Sequence, residues 1–161
     1  MPEIVLEKIT KRWGKFFGVD NVSLNIPNNS FITLLGPSGC GKTTILRMIA
    51  GLETPTEGRI TIGDKVVFDS NAGINVPANK RKVGFLFQNY ALWPHMTVRK
   101  NISFGLENMK WSKEDIEKRV DEICKTMRIE EYKDRYPAEL SGGQQQRVAI
   151  ARALATDPEI I

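Results

Sequence analysis

The nine residues Gly36-Pro37-Ser38-Gly39-Cys40-Gly41-Lys42-Thr43-Thr44 constrain this chain more than any other stretch. They carry the spacing G-x-x-x-x-G-K-S/T of a phosphate-binding loop. An apolar run that reads as a strand, Phe31-Ile32-Thr33-Leu34-Leu35, precedes them. A run with helical spacing follows, in which Ile45, Met48, Ile49 and Leu52 recur on one face and Gly51 supplies a C-terminal stop. In a strand, glycine-rich turn and helix of this kind the backbone N–H groups curl around a polyphosphate, because glycine accepts the left-handed conformations the curl requires. The positive end of the helix adds to the attraction. Lys42 is placed to reach β- and γ-phosphates, and the Thr43 hydroxyl to complete the shell of a Mg2+ ion. The stretch implies a bound nucleotide.

A chain of 161 residues is one domain, or one and a part. Its 41% hydrophobic and 26% charged content describes a globular protein with enough apolar material for a core. No run of 18 apolar residues is present to cross a membrane. Met1-Pro2-Glu3-Ile4 does not read as a signal peptide, which points to the cytoplasm. The net charge of +4 is spread out, and the clusters Lys11-Arg12 and Lys80-Arg81-Lys82 read as ordinary solvated surface. A nucleic-acid partner would need a denser basic stripe with aromatic residues between, so none is expected. Cys40 and Cys124 form no metal-ligand or disulfide pattern. Cys124 reads as core. Cys40 stands at the helix start within the phosphate-binding turn, where it reads as a site for inhibitory modification and not as a nucleophile.

Along the chain, Ile4–Ile9 and Val22–Ile26 read as short strands, with Trp13-Gly14-Lys15-Phe16-Phe17-Gly18 between them and a turn at Pro27–Ser30. Trp13 is a candidate for stacking on a base, a contact worth ~1–3 kcal/mol. Phe16 and Phe17 compete for that role, and burial in a small sheet is the plainer alternative. Arg59–Phe68 reads as a hairpin around Gly63-Asp64, followed by a polar loop from Asp69 to Lys82. Val83–Phe87 reads as a buried strand ending at Gln88. A glutamine there either contacts Mg2+ and the attacking water or is simply a polar residue leaving a sheet. Residues 98–111 receive no assignment. Ser112–Arg128 reads as an amphipathic packing helix, with Ser112 and Asp115 capping it and Ile116, Val120, Ile123, Cys124 and Met127 on its apolar face. Finally, Leu140-Ser141-Gly142-Gly143-Gln144 opens an alanine-rich helix to Thr156 that Asp157-Pro158 ends. Ser141 and Gln144 cap its start, which is either a capped helix start alone or a second anion-binding one without a lysine of its own.

The phosphate loop, Gln88 and Leu140-Ser141-Gly142-Gly143-Gln144, in this order, resemble the ATP-binding subunit of an ABC transporter over essentially the whole chain. The runs Gly36–Thr44 and Phe87-Gln88-Asn89-Tyr90-Ala91-Leu92-Trp93-Pro94-His95-Met96-Thr97-Val98 resemble the maltose-type branch of importers and its polyamine, iron and sulfate relatives. The resemblance implies an α/β fold, a P-loop NTPase (RecA-like) core with an N-terminal antiparallel β subdomain and an α-helical subdomain. It divides the chain into a β subdomain and P-loop core at 1–87, a helical subdomain at 88–140, and the signature motif with its helix at 141–161. ATP and Mg2+ are the implied cofactors. Trp13 matches the adenine-stacking aromatic, while Ser38, Gly39, Cys40, Gly41, Lys42, Thr43 and Thr44 match the residues that wrap the phosphates and the metal. Gln88 matches the sensor of γ-phosphate and metal. Ser141, Gly142, Gly143 and Gln144 match residues that act across a head-to-tail dimer, on nucleotide held by a second copy. The implied membrane contact is Tyr90–Pro94, with transmembrane permease subunits, at the cytoplasmic face of the membrane.

In that family, the turn after Asp157-Pro158 leads into a strand carrying the metal-binding aspartate and the catalytic glutamate, and a histidine switch comes later. This chain stops at Glu159-Ile160-Ile161, and its one histidine, His95, lies in another motif. The expectation is therefore a chain that binds ATP and scarcely hydrolyses it alone, within a longer protein or with the remaining strands supplied from elsewhere. Without those strands, the strands before the phosphate loop and before Gln88 would expose unpaired edges and apolar faces. The leading functional expectation is an importer ATPase, with sugar as its solute. A non-hydrolysing nucleotide-binding module is the alternative. A small metabolite kinase would leave Ser141–Gln144 unexplained, and an ABC ATPase of DNA repair or ribosome work would leave Tyr90–Val98 unexplained.

Overall fold

The computed structural model describes residues 1–161, which form two compact units. The first comprises Met1–Val83 with Ile160, and the second Gly84–Glu159 with Ile161.

In the first unit, strands β1 (Ile4–Trp13) and β2 (Phe16–Ile26) form a hairpin from Ile4↔Ile26 to Trp13↔Phe16, around a turn with Gly14 at φ 59°. Both strands run well past the expected Ile4–Ile9 and Val22–Ile26. The reason is a pair of irregularities. Lys8 and Asn21 adopt left-handed backbone (φ 50° and 47°), and the register shifts between Leu6 and Ile9. The bulge breaks the alternation by which a strand is recognised, so Leu6 and Ile9, three apart, are both buried. Strands β3 (Glu57–Ile62) and β4 (Lys65–Asp69) form the hairpin expected around Gly63-Asp64, and a short β5 (Ile74–Asn75) follows. The five-stranded sheet has the order β2-β1-β3-β4-β5 with antiparallel pairs throughout. Helix α1 (Lys42–Ala50) adds Met48 and Ile49 to the core of Ile4, Leu6, Ile60, Val67 and Phe68, each such burial contributing ~1.5–3 kcal/mol. It ends at Gly51 in left-handed conformation (φ 77°), as its sequence predicts.

Two expected strands are corrected. Phe31–Leu35 has no ladder partner and is not a strand; Phe31 is 93% and Leu35 88% exposed. Val83–Phe87 makes a single parallel bridge, Val83 to Ile160, and Gly84–Phe87 lie outside any strand. Strands are made by neighbours, and an apolar run without one has nothing to satisfy its N–H and C=O groups. A third correction concerns Arg81, which is no solvated surface residue. It is 4% exposed and donates to Met48 O (2.7 Å), Ile49 O (3.1 Å), Val76 O (2.7 Å), Val67 O (3.4 Å) and Asn75 Oδ1 (3.2 Å). Burial lowers its pKa. Its neighbours in the basic cluster hid a residue that closes the C-terminal end of α1 and joins it to β4 and β5.

The second unit is helical. Helix α2 (Val98–Asn108), which no sequence signal singled out, is capped by Thr97 accepting from Lys100 N. Helix α3 (Lys113–Met127) is capped by Ser112 accepting from Asp115 N, and α4 (Gly142–Ala155) by Ser141. Val98, Ile102 and Leu106 of α2 pack with Val120, Ile123 and Cys124 of α3 and with Val148 and Ala151 of α4. Cys124 is fully buried, and desolvation raises its pKa to about 11, which keeps it an inert thiol. No helix is long and apolar enough to cross a membrane.

Replacing Arg81 strands several buried carbonyls at once. Arg81→Met is expected to lower the unfolding free energy by about 3–5 kcal/mol, read from urea unfolding beside the unmodified chain.

Candidate functional site

The phosphate loop takes its shape from close backbone approaches. Gly41, the N-cap of α1, has φ 91°, and a Cβ there would stand 2.5 Å from the Gly18 carbonyl oxygen and 3.0 Å from Val19 Cγ2. A Cβ at Gly36 would stand 2.7 Å from Cys40 Sγ. Gly39 is also left-handed (φ 83°), though a Cβ there would meet nothing. The α1 ladder begins with Ile45 N donating to Gly41 O at 2.9 Å, so the N–H groups of Lys42, Thr43 and Thr44 have no acceptor within their own turn. Lys42 folds back over the loop, its Nζ donating to Gly36 O (2.8 Å), Pro37 O (2.7 Å) and Cys40 Sγ (3.4 Å). Ser38, Gly39 and Cys40 are exposed, and Thr43 and Thr44 half-buried. The result is an exposed loop with free N–H donors at the start of α1 and an ammonium folded over it. Such a loop suits a polyphosphate, and the Thr43 hydroxyl beside it suits a phosphate-bound Mg2+.

Gly18 links this loop to Trp13. Its carbonyl faces Gly41, and a Cβ at Gly18 would run into the Trp13 ring. The indole is thereby held in the same neighbourhood as the phosphate loop, 46% exposed, with Phe16 stacked at 6.3 Å and 21° and Lys11 Nζ 5.3 Å from its centroid. Phe16 and Phe17 are 64% and 48% exposed. Trp13 is thus not a core residue of the sheet, and nearly half of its surface is open to solvent.

The remaining predicted residues lie in the second unit. Ser141 and Gln144 form a reciprocal capping box: Ser141 N donates to Gln144 Oε1 at 2.8 Å and Gln144 N to Ser141 Oγ at 3.4 Å. Gly142 and Gly143 are exposed, and a Cβ on either would meet nothing. Arg119 of α3 donates to Leu154 O and Ala155 O at 3.3 Å each, covering the far end of α4. Gln88 is exposed in a turn, not at the end of a strand, because the strand expected before it does not form. The loop after it is anchored by residues that no motif pointed to. Asn101, fully buried, accepts from Trp93 N (2.9 Å) and donates to Trp93 O, Met96 O and Thr97 O (3.0–3.2 Å). Arg152 of α4 donates to Tyr90 O and Ala91 O. Nothing in the sequence pattern marks the first, whose partners are all backbone atoms. Nothing in the spacing marks the second.

The family model for ABC transporters matches residues 19–161. The chain belongs to the ABC transporter family. Among similar curated proteins, this ABC transporter chain is 50% identical over 158 residues to an Fe(3+) ions import ATP-binding protein of Fusobacterium nucleatum, covering 98% of this chain and 41% of that protein. It is 49% identical over 156 residues to a spermidine/putrescine import ATP-binding protein of Oleidesulfovibrio alaskensis (97% and 40%). It is also 49% identical over 159 residues to an sn-glycerol-3-phosphate import ATP-binding protein of Brucella abortus (98% and 44%). The chain therefore spans about two fifths of the length of these relatives. Among solved structures, the dimer of a bacterial ABC transporter cassette matches with TM-score 0.82 at 38% identity, over 96% of this chain and 70% of that one. A post-hydrolysis state of that cassette, bound to ADP and Pi, matches with TM-score 0.81 at 37% identity over the same shares. The fold is that of a P-loop NTPase cassette.

The two loop glycines give unequal expectations. Gly41→Ala adds a backbone clash to a left-handed strain, whereas Gly39→Ala adds the strain alone, ~1–2 kcal/mol. Thermal unfolding is expected to rank Gly41→Ala well below Gly39→Ala.

Proposed function

We propose that this chain is the ATP-binding portion of an importer subunit, in which MgATP binding closes a head-to-tail dimer and hydrolysis reopens it to drive solute uptake. The observation that carries this reading is the phosphate loop packed on Gly18. One short contact with the hairpin brings an anion cradle, a lysine and an exposed indole to one place in the first unit. In this reading Trp13 stacks on adenine. Ser38–Thr44 hold the phosphates, Lys42 reaches the β- and γ-phosphates, and Thr43 ligates Mg2+. Gln88 keeps the sensing role that the family resemblance implies.

Ser141, Gly142, Gly143 and Gln144 act on nucleotide bound by a second copy. Their exposure supports this: nothing in the chain itself occupies the space a Cβ would take at Gly142 or Gly143, while the helix start is left open to an anion. The dimeric cassettes similar to this chain support it as well. Tyr90–Pro94 is the proposed contact with transmembrane permease subunits, on the cytoplasmic face. The 161 residues alone are proposed to bind ATP and hardly to hydrolyse it. For the solute we propose a sugar, on the resemblance to the maltose-type branch. The relatives reported above are named for iron, polyamines and glycerol 3-phosphate, and uptake assays with these four classes decide among them.

Nucleotide titration tests the site. Lys42→Ala is expected to weaken both MgATP and inorganic triphosphate by at least about tenfold, because it removes a charged donor to phosphate. Trp13→Ala is expected to weaken MgATP by about tenfold and leave triphosphate unchanged, because only the base is stacked. MgATP binding that survives both substitutions would refute the assignment.

A further inference from the structure

In the second unit, Tyr90 and Ala91 are consecutive and both left-handed (φ 61° and 45°). Residues with a Cβ rarely adopt that region even singly, so a neighbouring pair requires something to hold it. Local bonds make the turn, from Tyr90 N to Phe87 O (3.0 Å) and from Ala91 N to Asn89 O (2.7 Å). They leave the two carbonyls, and these are taken by a single side chain: Arg152 Nη2 donates to Tyr90 O at 2.8 Å and Nη1 to Ala91 O at 2.6 Å. The guanidinium also lies 4.9 Å from the Trp93 ring centroid, and Trp93 is fixed in turn by Phe104 (4.5 Å) and by buried Asn101. Two parallel donors on a rigid plane match two adjacent carbonyls in a way that a lysine's single ammonium does not.

Arg152 stands about three turns along the helix that begins at Ser141. We propose that Arg152 is a positioning residue that ties α4 to the Tyr90–Pro94 segment and holds it in one strained conformation. A displacement of the α4 start, where a second copy's nucleotide is read, then reaches the segment that meets the membrane subunit. The strained pair supplies the two-state element that such coupling requires: held by the fork it is left-handed, released it relaxes. This inference rests on the importer reading given above.

The test uses the full-length protein assembled with its membrane subunits, as wild type, Arg152→Lys, Ala91→Gly, and the two substitutions combined. Glycine accepts left-handed backbone without strain, so Ala91→Gly removes part of what the fork has to hold. Arg152→Lys is expected to lower kcat of solute-stimulated ATP turnover about tenfold, with KM for ATP changed by no more than about twofold. Amide exchange at residues 89–93 is expected to speed up about tenfold in the same variant. Adding Ala91→Gly is expected to restore most of both effects. Unchanged kcat, a change in KM alone, faster exchange with kcat intact, or no recovery by Ala91→Gly would each overturn the inference. Wild-type protein that binds neither MgATP nor a membrane subunit would overturn the importer reading and this inference with it. Wild type that does both, beside an indistinguishable Arg152→Lys, would overturn the inference alone.

Discussion

A helix that offers its first N–H groups to an anion leaves carbonyls at its other end, and those carbonyls need partners that do not compete for the anion. In the function proposed above α1 and α4 both face an anion, and arginine closes the far end of each. Arg81 closes α1 through Met48 O and Ile49 O, and Arg119 closes α4 through Leu154 O and Ala155 O. In each case the cation sits at the negative end of the helix dipole, where it is stabilised, and leaves the positive end clear. The arrangement also accounts for where Arg81 is buried. It has no carboxylate among its hydrogen-bond partners because five acceptors, four of them backbone, meet its guanidinium. Arg119 differs in this respect, since it also donates to Glu122 Oε2 (3.1 Å) and lies 3.8 Å from Asp157 Oδ1.

The second unit applies the same chemistry to a loop. Arg152 spends its donors on two neutral carbonyls, and Asn101 uses both ends of its amide on the backbone of residues 93–97. Irregular backbone has no ladder to satisfy it, so side chains from α2 and α4 supply what a sheet would have provided. The loop is specified by its supports more than by its own residues.

How much was legible in the residues follows from which interactions are local. The phosphate loop, the caps at Ser112 and Ser141, the Gly51 stop and the Gly63-Asp64 turn are each decided within a few positions, and each is where its spacing places it. The lengths of β1 and β2 were hidden by a bulge that interrupts the alternation at Lys8 and Asn21. Phe31–Leu35 and Val83–Phe87 have strand-like composition, but composition states what a segment can pair with and not whether a neighbour is there. Arg81, Asn101 and Arg152 were invisible for a third reason. Their partners are backbone atoms, which every residue type carries, so no pattern of side chains announces them.

The bridge from Val83 to Ile160 brackets Gly84–Glu159, all of the second unit but Ile161, within the sequence of the first. Ile160 belongs to the first unit's core, together with Ile4, Leu6 and Ile60. Closing that long loop adds little entropy cost beyond closing a shorter one, since the cost grows only with the logarithm of length.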